Sequence, residues 1–237
     1  MLVHVDGSKM FYSNIKKGIF KSRPNRFIAH IEIDGVIEVC HVKNTGRCKE
    51  LLVEDAIVYL EENNNPSRKT KYSLIGVKKG NRLINMDSQA PNKVVYEWIK
   101  EGNLFHDVIH IKTEKTYGNS RFDLYVETKT EKAFIEVKGV TLEEDGIVRF
   151  PDAPTIRGIK HIHELIECKQ EGYEAYLILV VQMKNVKWFE PNNKTQPEFQ
   201  EALIKAKSAG VNIIAMDCEV FEDGLIIRDE VDVILKE

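Results

Sequence analysis

The chain has 237 residues, 43% of them hydrophobic, enough to bury one large core or two smaller ones, and no apolar run reaches membrane-spanning length. With no basic, apolar and small-residue succession at its start, it is expected to be a soluble cytoplasmic protein. The net charge of −3 argues against a nucleic-acid partner only until the chain is divided: residues 1–84 carry 15 Lys and Arg against 9 Asp and Glu, the rest 19 against 28. A basic binding module joined to an acidic partner domain would produce that asymmetry.

In chain order, FIAHIEI, VIEVCHV, AIVYLEE and YSLIGVKK alternate apolar and polar residues over strand lengths, broken by DG, TG and a polar stretch from Glu61 to Lys71. They predict a small all-β unit of about five strands, barrel or sandwich, over residues 1–84. Within it Lys21, Arg23, Asn25, Arg26 and Phe27 form one cationic loop, and Lys43, Asn44 and Arg47 a second. Arg23, Arg26 and Arg47 are read as phosphate contacts, and Phe20 and Phe27 as core. Cys40, Cys48, Cys168 and Cys218 lack zinc or disulfide spacing and are read as reduced thiols.

From residue 85 to 237 the pattern changes. A helix is predicted over Asn92 to Glu101, with Val94, Val95, Trp98 and Ile99 on one side. Strands follow near Val108 to Lys112, Phe122 to Glu127 and Phe134 to Val140. Next come a helix from Ile156 to Lys169 that Thr155 can cap, the apolar strand AYLILVVQM, a helix around Glu198 to Ala209 and the strand VNIIAM. This is the order of an α/β sandwich. On the second helix Arg157, Lys160, His161 and Glu164 form a stripe away from Ile159, Ile162 and Ile166. That is usually a solvated face, although Arg157 and Lys160 could meet a phosphate near the helix start.

The second and third strands of this unit place Asp123, Glu136 and Lys138 inside apolar runs. A hairpin centred between Thr130 and Glu131 would set Asp123 opposite Lys138 and Tyr125 opposite Glu136, so that all three charges share one face. A loop longer or shorter by one residue would move Asp123 to the other face. Two such carboxylates would repel each other unless a hard cation, Mg²⁺ or Mn²⁺, lay between them, with Lys138 beside it to hold or deprotonate water. A surface hairpin whose charges pair in solvent fits the same residues equally well.

The segments SRPNRF, HVKNTGR, EKTYGNSRFD, FIEVKGVTL and FPDAPTIRGIKHIHEL, in this order across nearly the whole chain, resemble the sugar fermentation stimulation protein (SfsA) family. The resemblance implies an OB-fold-like β-barrel followed by a domain similar to PD-(D/E)XK nucleases, in a family described as DNA-binding and linked to control of sugar, particularly maltose, utilisation. It places the nuclease motif on Asp123 and Glu136-Val137-Lys138, with Glu97 as the helix glutamate. Gly139 stands where relatives often show serine, and Thr195-Gln196 where an aspartate is expected. The combined expectation is a DNA-binding protein with an Mg²⁺- or Mn²⁺-dependent phosphodiesterase site. The alternative is a regulator that binds DNA without cutting it.

Overall fold

A computed structural model describes residues 10–236. The first unit is built from β2 (Ile15–Asn25), β3 (Ile28–Ile33), β4 (Val36–Val42), β5 (Ile57–Glu62), β6 (Tyr72–Lys79) and β7 (Arg82–Asn85). Its strands run in the order β4-β3-β2-β5-β6-β7, and a parallel pairing of β4 with β6 closes the first five into a barrel. Phe20, Ala29, Ile31, Val42, Val58, Leu60 and Leu74 fill the barrel, as the alternation in these strands dictates. Phe27 is not among them: it is 46% exposed, which corrects the expectation that it is core.

The second unit contains α1 (Ala90–Lys100), β8 (Val108–Tyr117), β9 (Ser120–Thr128), β10 (Lys132–Val140), β11 (Leu142–Glu144), β12 (Ile147–Phe150), α2 (Ile156–Gln170), β13 (Glu174–Val181), β14 (Trp188–Pro191), α3 (Pro197–Ser208), β15 (Asn212–Phe221) and β16 (Gly224–Val231). Its main sheet runs β1-β16-β15-β13-β10-β9-β8, where β1 is Met10–Phe11, so residues at the start of the chain complete the second unit. β13 lies parallel to both neighbours and is apolar along almost its whole length, as a strand covered on both faces must be. Val94, Val95 and Ile99 of α1 pack on one face, while Ile162, Leu165 and Cys168 of α2 and Phe199 and Leu203 of α3 join the core on the other. Strands β11, β12 and β14 form a separate small sheet. All four cysteines are free and buried.

The β9–β10 hairpin turns one residue earlier than expected. The Thr128 amide donates to the Glu131 carbonyl at 2.9 Å, and the Thr128 hydroxyl accepts from the amides of Thr130 and Glu131, closing a tight loop. Phe134 therefore pairs with Tyr125 and Ile135 with Leu124, which sets Asp123 across from Glu136 and not from Lys138. Moving the turn centre by one residue shifts every partner by two and preserves the face.

Hydrogen bonds and ion pairs tie the two units together. Arg82 donates to the carbonyls of Lys184 and Asn185, and the Asn85 amide donates to the Gln182 carbonyl. Glu143 on β11, 3% exposed, takes Lys79 at 2.7 Å and Arg82 at 2.9 Å from the barrel, together with the Gly146 amide. Burial alone would raise its carboxyl, but the Lys79 hydrogen bond, the Gly146 amide and the two cations outweigh it and hold the group below the ordinary range. Replacing Glu143 with Ala should lower unfolding stability at neutral pH by about 1.5–2 kcal/mol, the scale of hydrogen bonds to a charged group. Because the folded pKa is depressed, the gap between variant and wild type in urea midpoints should close as pH falls through it.

Candidate active site between the two units

Where the hairpin ladder would next join Phe122 to Val137, Asp123 intervenes. Its Oδ2 accepts the Val137 amide at 2.8 Å, and its Oδ1 accepts the side-chain amide of Asn92 on α1 at 2.8 Å. Phe122 leaves the α1 side, which Leu124 and Val126 occupy, and packs with Phe134 and His161 on the α2 side. The strands part at this point, and Asp123, Glu136 and Lys138 line one cleft of about 610 Å³.

Glu136 is 2% exposed. Its Oε1 accepts from both Lys138 Nζ and His161 Nδ1, while its Oε2 is buried with no hydrogen-bond partner. Burial disfavours its charged form, yet the His161 hydrogen bond and the Lys138 ammonium prevail and lower its pKa. Asp123 shifts the other way: burial, then the neighbouring Glu136 charge, raise its carboxyl against the opposing pull of the Val137 amide, Lys138 and Asn92. The two neighbouring carboxylates are thus driven apart in acidity, Glu136 downward and Asp123 upward.

The barrel supplies the opposite wall. Arg26, Asn44, Thr45 and Gly46 line the same cleft, as do Arg157 and the FPDAPT loop, Phe150 to Thr155. The loop is pinned from several sides. Asp152 accepts the Cys48 amide from the barrel, Asn192 donates to the Pro151 carbonyl, and Gln196 accepts the Thr155 amide at 2.8 Å. Gln196, at the position where an aspartate was expected, thus braces the rim of the cleft. Thr155 caps α2, as its position predicts, by accepting the Gly158 amide at 2.9 Å. At Gly139 a Cβ would meet Gln182 Oε1 at 2.4 Å and Pro91 Cγ at 2.9 Å, so a serine there requires both neighbours to move.

Five of the expected site residues lie elsewhere. Arg23 is committed to the protein: its Nη atoms donate to the carbonyls of Arg26, Asn44, Gly46 and Arg47, clasping both cationic loops. That geometry replaces the expected phosphate contact with a loop-building role. Asn25 Oδ1 accepts the amides of Phe27 and Ile28 and shapes the turn, while Arg47 is exposed outside the cleft. Glu97 points away from the cleft and pairs with Lys100 at 3.7 Å; the residue of α1 that reaches Asp123 is Asn92, more than one turn earlier. Lys160 lies beside a neighbouring hollow with Arg121 and Arg157.

His161, Asn92 and Gln182 were not singled out as site residues from the sequence. His161 was readable only as part of the solvated stripe of α2, but it is 3% exposed and Glu164 8%, because this face turns toward β9 and β10. The i, i+4 spacing of Arg157 and His161 was the available signal, since it puts both on the face that follows the capped start of α2.

A family model described as "Sugar fermentation stimulation protein RE domain" matches residues 89–224, and one described as "SfsA N-terminal OB domain" matches residues 22–86. A sugar fermentation stimulation protein homolog from Clostridium beijerinckii is 66% identical over 95% of the chain and all of the relative. One from Ruminiclostridium cellulolyticum is 59% identical over 94% of the chain and 99% of its own length. The solved structure of Pyrococcus furiosus SfsA in complex with Ca²⁺ superposes with a TM-score of 0.87 at 31% identity, covering 94% of this chain and 97% of that one.

Asp123→Asn tests the carboxylate pair. Since the folded state raises the Asp123 pKa, its ionisation weakens the fold as pH rises. In EDTA at neutral pH the variant should melt no lower than wild type, with Asn92 turning its amide to match. Any advantage should shrink as acid protonates Asp123, which thermal melts across a pH series would show.

Proposed function

Because the chain belongs to the sugar fermentation stimulation protein family, we propose that it is a DNA-binding protein whose second unit hydrolyses phosphodiester bonds with Mg²⁺ or Mn²⁺. The observation that carries this reading is the convergence of Asp123, Glu136 and Lys138 with Arg26 and Asn44 in one cleft.

The donor set fits a hard cation. Glu136 Oε2 is a buried oxygen without a partner, and each Asp123 oxygen accepts a single hydrogen bond, leaving lone pairs free. Among the described residues no group of three or more His, Cys, Asp and Glu side chains gathers as a cage. Two carboxylates are what Mg²⁺ usually takes alongside waters and substrate phosphate, and the calcium of the archaeal relative supports an oxygen site. When bound, such an ion polarises the phosphoryl oxygen and acidifies water.

The chain's own groups have separate tasks. Lys138, as an ammonium donating to Glu136 Oε1, would hold and orient the attacking water beside the carboxylates. His161 fixes Glu136 so that Oε2 alone remains unpaired, and Asn92 fixes Asp123. Arg26 and Arg157 line the walls where phosphate charge would need neutralising.

The regulator that binds without cutting has one observation in its favour: Glu136 already has the Lys138 ammonium and a His161 hydrogen bond without any ion. Incubation with single- and double-stranded DNA in Mg²⁺, Mn²⁺ or EDTA separates the two readings. Lys138→Ala should keep divalent-ion affinity by calorimetry and lose about a hundredfold or more in rate. Asp123→Asn should lose the affinity itself. Wild-type protein that binds the ion and DNA yet cuts neither form would establish the regulator.

Arg26→Ala should weaken DNA binding at every sequence and flatten the logarithmic salt dependence by about 0.7–0.9. Arg23→Ala should act through stability, lowering the melting temperature as both loops lose their clasp.

A further inference from the structure

We propose that the cleft takes one unpaired strand of DNA, with a base stacked on Phe27 and the phosphate beyond the carboxylates held by Arg121 and Lys160. This rests on the nucleic-acid reading of the cleft given above and adds to it the form of the substrate and three residues that bind it.

Size is the first support. A cleft of about 610 Å³ falls within the roughly 300–1,000 Å³ of sites that enclose a drug-sized ligand. That volume is on the scale of a nucleotide or two between its walls. The oxygen that needs a partner, Glu136 Oε2, is buried, so a phosphate must enter the cleft to approach it.

Rigidity is the second. The walls are joined to each other at several points: the Cys48 amide donates to Asp152 at 2.9 Å, the Ser88 amide to the Lys43 carbonyl at 3.1 Å, and the Asn85 amide to the Gln182 carbonyl at 2.9 Å. Parting them for a duplex would break these bonds and the Glu143 ion pairs together.

The third support is an aromatic outside the cleft lining, beside Arg26. Phe27 is half exposed, and the Arg26 guanidinium lies 4.7 Å from its ring centroid while also lining the cleft. Asn25 holds the Phe27 amide, so the ring stands on a fixed turn. An exposed ring beside a cation on a barrel of this type offers every base the same stacking surface, and stacking requires a base free of its own helix.

Beyond the carboxylates the path continues. Arg157 and His161 line both the cleft and a second hollow of about 450 Å³, whose rim carries Ser120, Arg121 and Lys160. The Arg121 and Lys160 side chains are 56% and 50% exposed, free to turn from Glu114 and Glu164 toward a phosphate.

Fluorescence anisotropy of the full chain in calcium, with labelled oligothymidylate and a duplex of equal length, tests the proposal. The single strand should bind about tenfold or more tightly than the duplex. Phe27→Ala should weaken single-strand binding about five- to a hundredfold at an unchanged melting temperature, and Phe27→Trp should restore it with quenched tryptophan fluorescence. Arg121→Ala should lower the single-strand salt slope by about 0.7. Equal or tighter binding of the duplex, or Phe27→Ala that holds oligothymidylate like wild type, would overturn the proposal and leave the nucleic-acid reading intact. Wild type that binds neither form would sink both.

Discussion

The site depends on one carboxylate taking one backbone amide. By accepting the Val137 amide, Asp123 ends the ladder between β9 and β10 where two strands would otherwise continue side by side. The amide is satisfied, so parting the strands costs no buried donor. Phe122 is released to the α2 side, where it packs beside His161, and His161 in turn holds Glu136. A ladder that ran on would leave Asp123 as one more strand residue and close the floor of the cleft.

The same arrangement explains why two acids and a lysine tolerate an apolar setting. Each carboxylate is held by donors from elements that belong to the core: Asn92 from α1, Val137 from β10, His161 from α2. The charges are nonetheless unevenly satisfied, since Glu136 has two donors on one oxygen and none on the other. A buried oxygen left in that state costs free energy, on the order of 1–3 kcal/mol for an unmet hydrogen bond. An arrangement that concentrates donors on Oε1 and leaves Oε2 bare is understandable where a cation and substrate complete the set.

Much of this was legible in the sequence because the register differed from expectation by an even step. Alternation placed Asp123, Glu136 and Lys138 together, and a turn misplaced by one residue changed the partners without changing the face. Helices α1, α2 and α3 and the four named barrel strands followed from periodicity, and the Thr155 cap from residue type. Side-chain destinations were less legible. Arg23 and Arg26 are alike in the sequence and three residues apart, but Arg23 lies on β2 with four carbonyls converging on it, while Arg26 lies in the turn beyond, over the Phe27 ring. Phe20 and Phe27 divide likewise into core and surface, because Phe27 sits where the chain turns between β2 and β3 and strand alternation no longer governs it. β16 and the small sheet escaped the pattern altogether, the first for lack of a strong apolar run near the chain's end, the second because its strands are only 3 or 4 residues long.

The basic excess of the first 84 residues also needs a different interpretation once partners are known. Lys79 and Arg82 are spent on Glu143 across the seam, Lys43 on Glu61 and Asp87, Lys21 on Glu32 and Asp55, Lys71 on Glu62, and Arg23 on its loops. Much of the positive charge therefore holds the barrel together and fixes it to its neighbour. What remains near the cleft is concentrated: Arg26 on one wall and Arg157 on the other, facing carboxylates that on their own would repel a phosphate. Charge that is local and rigidly held acts within about a Debye length, roughly 8–10 Å at ordinary ionic strength. The seam thus contributes to binding indirectly, by keeping a few cations in the same cleft as the acids while the rest of the charge asymmetry serves the architecture.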